Sequence, residues 1–130
     1  MDGVDVVPGF AVHRLRETEL TAWEPELGEA AEVLEGEMRM SWRVLWISPD
    51  RRNATGLWSA EPHRVRLIHP FHESYVLLSG RLTATPEGGE PRELGPGDSI
   101  VLPRGTVWEC EVHETVHKYW SLFAEEGLEL

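Results

Sequence analysis

Short runs of β-type residues, each bounded by proline, glycine or polar turn residues, follow one another along most of the chain. Within a run, apolar and polar side chains alternate, which is the period of a strand with one buried face. Regular short strands separated by turns are typical of a β-sandwich or barrel, so the pattern predicts an all-β domain with little helix. The predicted strands cover residues 41–47, 56–60, 65–69, 74–79, 81–85, 99–102, 106–112 and 116–123.

The first forty residues follow this pattern less clearly. Residues 18–23 are compatible with one or two helical turns, which Pro25 would end. Glycines weaken a helix over residues 26–37, and we expect a loop there that enters a strand near Val33. We therefore expect an N-terminal extension over residues 1–39, a barrel over residues 40–123 and a C-terminal tail over residues 124–130.

Alternation also predicts which side chains of a strand share one face. Three strands provide the sets Met40, Trp42, Val44 and Trp46; Glu73, Tyr75, Leu77 and Ser79; and Thr106, Trp108, Cys110 and Val112. The chain has six tryptophans, and core packing is the expected role for most of them because each buries a large apolar area. The alternative is an aromatic-lined cavity for a small molecule, whose walls would include Trp46, Trp58, Tyr75 and Trp108.

Charge and cysteine content narrow the class of protein. Twelve basic residues against 23 acidic ones give a net charge of −11, which repels phosphate backbones and argues against nucleic-acid binding. No apolar run approaches the roughly 18 residues of a membrane span. The single cysteine, Cys110, excludes an internal disulfide, so we expect a reducing, cytoplasmic setting.

Two segments carry spacings of histidine, glutamate, glycine and proline that point to a known superfamily. Glu73 and Gly80 fit the end of H-x3-E-x6-G, with His69 at the histidine position. Gly97, Pro103 and Gly105 fit G-x5-P-x-G. These segments resemble the paired motifs of the cupin superfamily, and the resemblance implies a double-stranded β-helix, or jelly-roll, barrel.

Further segments resemble one branch of the cupins. These are Gly56-Leu57-Trp58, Glu87-Gly88-Gly89-Glu90 and Lys118-Tyr119. They look like the small cupins related to ureidoglycine aminohydrolase and to the ethanolamine-utilisation EutQ-like proteins. The resemblance covers roughly residues 40–123. Small cupins commonly dimerise through sheet edges, so we expect a homodimer, in which the alternating segment 4–15 is a strand that crosses to the partner.

The resemblance implies four positions that would hold a divalent transition metal. Here they are Leu67, His69, Glu73 and Trp108, so only His69 and Glu73 have ligating side chains. The aminohydrolase would have ligands of mixed Glu, His and Gln type, and only His69 carries over. His72 follows a proline and could swing inward as a further ligand, whereas His113 and His117 have no assigned face. A metal site and a metal-free site both remain open.

Without a metal, the candidate chemistry centres on one carboxylate. Burial of Glu73 in an apolar interior would raise its pKa towards the range of a general acid or base. Lys118 is the only lysine in the chain, and we expect either a Glu73–Lys118 pair inside the barrel or a lysine on the surface. Tyr75 could donate a hydrogen bond to a ligand, and Cys110, flanked by two glutamates, is expected to be an inert core residue.

Two classes of function follow. One is an enzyme that acts on a small ureido, amino or carboxylate compound, with Glu73 as acid/base and Lys118 as its catalytic partner. The other is a cupin that binds a small molecule, or serves as an accessory protein, without catalysis and without metal. Loss of the histidine at position 108 disfavours a metal-dependent dioxygenase.

Overall fold

The structure is a computed structural model that describes residues 4–7 and 9–130. In this part of the chain the only helical segments are two short 3-10 turns, at Leu15–Glu17 and Gly28–Ala30. The strands are β1 (Val4–Val7), β2 (Phe10–His13), β3 (Thr21–Trp23), β4 (Ala31–Gly36), β5 (Met40–Ile47), β6 (Asn53–Ala60), β7 (His63–Ile68), β8 (His72–Pro86), β9 (Arg92–Leu94), β10 (Ser99–Leu102) and β11 (Val107–Phe123).

Two long antiparallel strands, β8 and β11, belong to both layers of the barrel. The first half of β8 and the second half of β11 lie in the order β10-β8-β11-β6-β5-β3. The second half of β8 pairs with β9. The first half of β11 pairs with β7, which in turn pairs with β4. Register shifts between Val112 and Lys118 mark the bend of β11. The prediction of a jelly-roll barrel is confirmed.

The bend requires a glycine at position 80, where the backbone of β11 comes very close. Gly80 has a φ of +85°, and a Cβ there would overlap the Thr115 carbonyl group. Sequence alternation predicted four strands, 74–79, 81–85, 106–112 and 116–123, because it breaks at these bends. In the structure each pair is one continuous, bent strand.

The barrel core lies between the inner faces of the two layers. Three cross-strand rows run over β6, β11 and β8 on one inner face: Trp58–Lys118–Leu77, Gly56–Trp120–Tyr75 and Ala54–Leu122–Glu73. Gly56 has no Cβ, and the space is taken by the Trp120 indole. On the opposite layer, Trp108, Cys110 and Val112 are buried, as their alternation predicted.

A β-bulge in β5 changes the predicted face of one tryptophan. The register slips between Val44 and Trp46, so that Ile47 rather than Trp46 packs against the core. Trp46 is 50% exposed, and its predicted place in a ligand-binding wall is wrong. A bulge reverses the alternation of every residue that follows it, and nothing in the local sequence marked this one.

Tertiary pairing decides the structure of the segment before residue 40. Residues 21–23, which were compatible with helical turns, form β3 because they add to the edge of β5, where Trp23 stacks on Trp42 with ring centroids 4.3 Å apart. The loop predicted over residues 26–37 is largely the strand β4, which pairs with β7. The predicted division at residues 39 and 123 stays a prediction.

The N-terminal strand predicted over residues 4–15 is a hairpin. β1 and β2 pair only with each other in the sheet topology and form a separate two-stranded sheet. Residues 1–3 and 8 lie outside the described residues. No helix in the described part of the chain has the length and apolar character needed to cross a membrane.

Candidate functional site

The ammonium group of Lys118 lies inside the barrel. Its Nζ is 2.8 Å from Oε2 of Glu73, 4.4 Å from the centroid of the Trp58 ring and 4.2 Å from that of Tyr75. A carboxylate and two aromatic faces together stabilise a cation that has left bulk water. The Lys118 side chain is 13% exposed, so the structure places this lysine in the barrel and not on a solvated face.

Glu73 lies at the start of β8, on the inner face, and is buried. Its Oε1 accepts a hydrogen bond from Nε2 of His69 at 2.7 Å, and its Oε2 accepts one from Lys118. Burial alone would raise the pKa of this carboxyl, but the positive charge of Lys118 and the hydrogen bond from His69 outweigh it and leave the pKa lowered. The predicted rise in the Glu73 pKa is therefore wrong, because burial was weighed without these two partners.

His69 lies in the connection between β7 and β8, held by backbone hydrogen bonds to Thr106 and Gly105. Nε1 of Trp108 donates a hydrogen bond to Nδ1 of His69 at 3.1 Å. An indole N–H can only donate, so Nδ1 carries the lone pair and the ring proton is on Nε2, where it is donated to Glu73. The buried groups thus form one chain, from Trp108 through His69 and Glu73 to Lys118.

The four positions at which the family resemblance implies metal ligands do not fit a metal ion in this chain. Leu67 and Trp108 offer no lone pair, and both ring nitrogens of His69 are engaged. Both oxygens of Glu73 accept hydrogen bonds, and one of them is from an ammonium that would repel a dication. Among the described residues, no three histidine, cysteine or acidic side chains are grouped so as to hold a metal.

The other histidines considered as ligands lie elsewhere. His72 is exposed: its Nδ1 accepts the backbone N–H of Arg104 at 3.0 Å, and its ring stacks on Phe123. The expectation that the proline turn might bring His72 inward is wrong, since regular alternation in β8 places it opposite Glu73. His113 contacts Thr83 at 2.7 Å and His117 contacts Ser79 at 3.0 Å, both away from Glu73.

The phenol of Tyr75 is the polar group of the site that remains available to a ligand. Its ring is buried, yet its hydroxyl makes no hydrogen bond with the residues that the structure describes. Burial raises the pKa of this hydroxyl well above its usual value, so it remains a neutral donor. The Trp58 indole N–H is already used, by a contact to Sδ of Met40 at 3.3 Å.

Cys110 contributes no reactive group to the site. Burial raises the pKa of its thiol to about 12, which keeps it protonated at neutral pH. This agrees with the expectation of an inert core residue.

Sequence reasoning missed two features of this arrangement. Trp108 was considered as a wall of a cavity, whereas its indole N–H fixes the proton position on His69. The sequence did contain a signal for this hydrogen bond, because Trp108, whose side chain has one N–H donor, stands where the superfamily motif has a histidine. Trp58 and Tyr75 were predicted as walls of an aromatic cavity, but their position over the Lys118 ammonium was not, because they meet Lys118 only through strand pairing.

Comparison with known proteins gives the family. The model of the EutQ-like cupin domain matches residues 47–120, which is more than half of the chain. The structure of ethanolamine utilization protein Q from Salmonella typhimurium matches with a TM-score of 0.71 at 17% identity over 95% of each chain. The EutQ protein of Clostridium difficile matches with a TM-score of 0.68 at 13% identity over 91% of this chain and 90% of that one.

A third structure, a protein of unknown function from Pseudomonas syringae, matches with a TM-score of 0.76 at 18% identity, over 87% of this chain and 48% of that one. No curated protein matches the chain. At these identities the solved structures establish the fold, while the family model identifies the relationship. The chain belongs to the family of EutQ-like cupin domains.

Proposed function

We propose that this protein is a cupin that binds a small polar molecule without a metal ion and without catalysis. The observation that carries the proposal is the position of Lys118, whose ammonium contacts Glu73, Trp58 and Tyr75 inside the barrel. Burying an ion pair costs desolvation energy that its attraction often fails to recover, so such a pair is weak evidence for stability alone. A role in ligand recognition explains why a charged pair is kept in an otherwise apolar core.

The polar groups at the site define the ligand chemistry. Lys118 and Tyr75 are donors and favour a carbonyl or carboxylate oxygen, while Glu73 favours an N–H group. The flat face of Trp58 suits a planar group. A small ureido, amide or carboxylate compound combines these features. The Lys118 side chain keeps 13% of its surface exposed, against 8% for Glu73 and for His69, so the ligand would approach from the Lys118 side.

Acid/base catalysis by Glu73, with Lys118 as partner, is supported less well than binding. The lowered pKa makes Glu73 a poor proton donor at neutral pH and a weak base. Both of its oxygens already accept hydrogen bonds. The relationship to ureidoglycine aminohydrolase stays a prediction. The ethanolamine utilization named for the Salmonella typhimurium structure is compatible with an accessory role for this chain.

The two tyrosines of the chain provide a matched test. N-carbamoylglycine, which carries a ureido and a carboxylate group, is titrated into the protein in the presence of EDTA and followed by tryptophan fluorescence and by NMR. We expect saturable binding that weakens about fivefold in Tyr75→Phe, since one hydrogen bond is worth about 1 kcal/mol. Tyr119→Phe is the control, because Tyr119 pairs with Val76 and Leu57 on the opposite face of β11.

Three outcomes would overturn the proposal. The first is no saturable signal with N-carbamoylglycine, acetate or acetamide. The second is conversion of N-carbamoylglycine to a product, which would make the protein an enzyme. The third is a rise in melting temperature with Zn²⁺, Ni²⁺ or Mn²⁺ in the wild type that disappears in His69→Gln.

We also propose that the chain forms a homodimer through its N-terminal hairpin. An isolated two-stranded hairpin is at best marginally stable in water, and β1 and β2 pair with no other strand in the described part of the chain. Phe10 in β2 is 64% exposed, which suits a contact with a second copy. A cytoplasmic location and the absence of nucleic-acid binding stay predictions from cysteine content and charge.

A further inference from the structure

A half-open cleft of about 410 Å³ lies between the outer face of the barrel and the segment 15–20. Its floor includes Leu57 of β6, Ser79 of β8 and His117 of β11, and the segment 15–20 forms its wall. His117 is the neighbour of Lys118 on β11, and successive strand side chains point to opposite faces. Lys118 and Glu73 do not line the cleft, whereas Trp58 borders both the cleft and the Lys118 ammonium.

The cleft combines an apolar surface with one arginine and one imidazole. Leu15, Leu20, Leu57 and Leu78 line it together with Arg16 and His117. Leu78 lies where the register of β8 against β11 slips, and it is 39% exposed, which is unusual for a large apolar side chain next to a recess. An apolar chain that follows these leucines would remove their surface from water.

The charge of the cleft is opposite to that of the whole chain. Acidic residues outnumber basic ones by 23 to 12, yet no aspartate or glutamate is among the described residues that line the cleft. Arg16 has no ion pair or side-chain hydrogen bond among the residues that the structure describes. By contrast, Arg64, Arg66 and Arg104 each bind a glutamate. An anion would supply the partner that Arg16 lacks.

The pair of Ser79 and His117 provides a second donor. Ser79 Oγ and Nδ1 of His117 are 3.0 Å apart. When Ser79 donates its hydroxyl hydrogen to Nδ1, the ring proton lies on Nε2 and can be donated to an anionic oxygen. The lining thus combines an arginine fork, an imidazole N–H and several leucines, which match the head group and the chain of an aliphatic carboxylate.

We propose that this outer cleft binds a small aliphatic carboxylate free in solution. The carboxylate lies between Arg16 and His117, and the hydrocarbon chain contacts Leu15, Leu57 and Leu78. Binding here does not depend on Glu73 or Lys118, so this proposal and the proposed function can fail separately.

A chain-length series tests the apolar part of the proposal. Butyrate, hexanoate and octanoate are titrated into ¹⁵N-labelled protein, and the shifts at residues 15–20 and 117 are followed. Each buried methylene is worth about 0.8 kcal/mol, so affinity should rise about fourfold per added CH₂ until the cleft is filled. Hexylamine has the same apolar chain with the opposite charge and should bind at least tenfold more weakly than hexanoate.

Matched arginine variants test the charged part. Arg16→Gln should weaken hexanoate binding about tenfold, whereas Arg52→Gln, at an exposed arginine in the β5–β6 turn, should leave it unchanged. Tyr75→Phe should also leave it unchanged. The proposal is overturned if hexanoate gives no saturable shifts, if both arginine variants weaken it equally, or if hexylamine binds as well as hexanoate.

Discussion

Replacement of Lys118 by methionine tests how much stability is lost when the buried Glu73 carboxylate loses its charged partner. Methionine keeps most of the aliphatic volume but removes the ammonium that contacts Glu73, Trp58 and Tyr75. Glu73 would then be a buried carboxylate with His69 as its remaining hydrogen-bond donor. Removing one partner of a buried ion pair costs about 3–5 kcal/mol, because the other charge stays desolvated.

The expected loss lies at the lower end of that range. The Lys118 side chain is 13% exposed, and water can reach part of the space that it leaves. We therefore expect the free energy of unfolding to fall by about 3 kcal/mol at pH 7. For a chain of this length, such a loss lowers the melting temperature by about 10 °C.

The direction of the Glu73 pKa shift determines how the loss of stability in Lys118→Met should change with pH. In the wild type the pKa of Glu73 is lowered from 4.5, so its stabilising contribution is present above the unfolded pKa and is lost as pH falls through the folded one. Without Lys118, burial, the largest influence on this pKa, is opposed by His69 alone, so we expect the pKa of Glu73 to rise above its unfolded value. The variant therefore gains stability as pH falls through that raised pKa, and its deficit relative to wild type should narrow between pH 7 and pH 5.

Urea unfolding followed by tryptophan fluorescence at pH 7 and pH 5 measures both quantities. Glu73→Gln combined with Lys118→Met should recover most of the lost stability, since a neutral pair leaves no unpaired charge. Arg81→Met is the surface control: it breaks the exposed Arg81–Glu93 pair at 3.4 Å and should cost less than about 1 kcal/mol. A loss below about 1 kcal/mol in Lys118→Met, with no pH dependence, would refute the reasoning.

Three further predictions concern other parts of the molecule. Trp108→Phe removes the N–H that Nδ1 of His69 accepts, so the ¹⁵N shift of Nδ1 should move while that of Nε2, which still donates to Glu73, changes little, and an unchanged Nδ1 shift would argue against the hydrogen bond. Cys110 should not react with iodoacetamide at pH 8 in the folded protein but should react in urea, because its thiol is buried and has a pKa of about 12. Phe10→Asp should convert a dimer to a monomer in sedimentation, whereas Val101→Asp, 70% exposed on the edge strand β10, should not, and the reverse result would assign the interface to β10.

The sequence predicted the features that depend on strand period and turn residues. The fold class and the inward faces of Glu73, Tyr75 and Trp108 follow from alternation, because β8 and β11 are regular around these residues. Trp46 was misplaced because a bulge intervenes, and residues 21–23 because pairing with β5 decided their structure. Local propensity is a weak guide where an edge pairing is available.

The electrostatics of the site depended on neighbours that sequence distance concealed. Burial of Glu73 was predicted correctly, but the direction of its pKa shift depends on Lys118, which is 45 residues away in the chain. The proton position on His69 depends on Trp108, 39 residues away. Pairings at this distance follow from the register of β11 with β7 and with β8, which the sequence alone does not specify.

The two strands shared by both layers also determine where this protein tolerates change. Glu73 and Tyr75 come from β8, Trp108 and Lys118 from β11, and His69 begins the connection that leads into β8. Insertions at the exposed turn of residues 87–91, between β8 and β9, therefore leave the geometry of these groups intact. By contrast, a side chain at Gly80 meets the β11 backbone at the bend and would disturb both layers at once. A library that varies the outer turns while keeping β8 and β11 fixed is thus a practical way to give this barrel new surfaces.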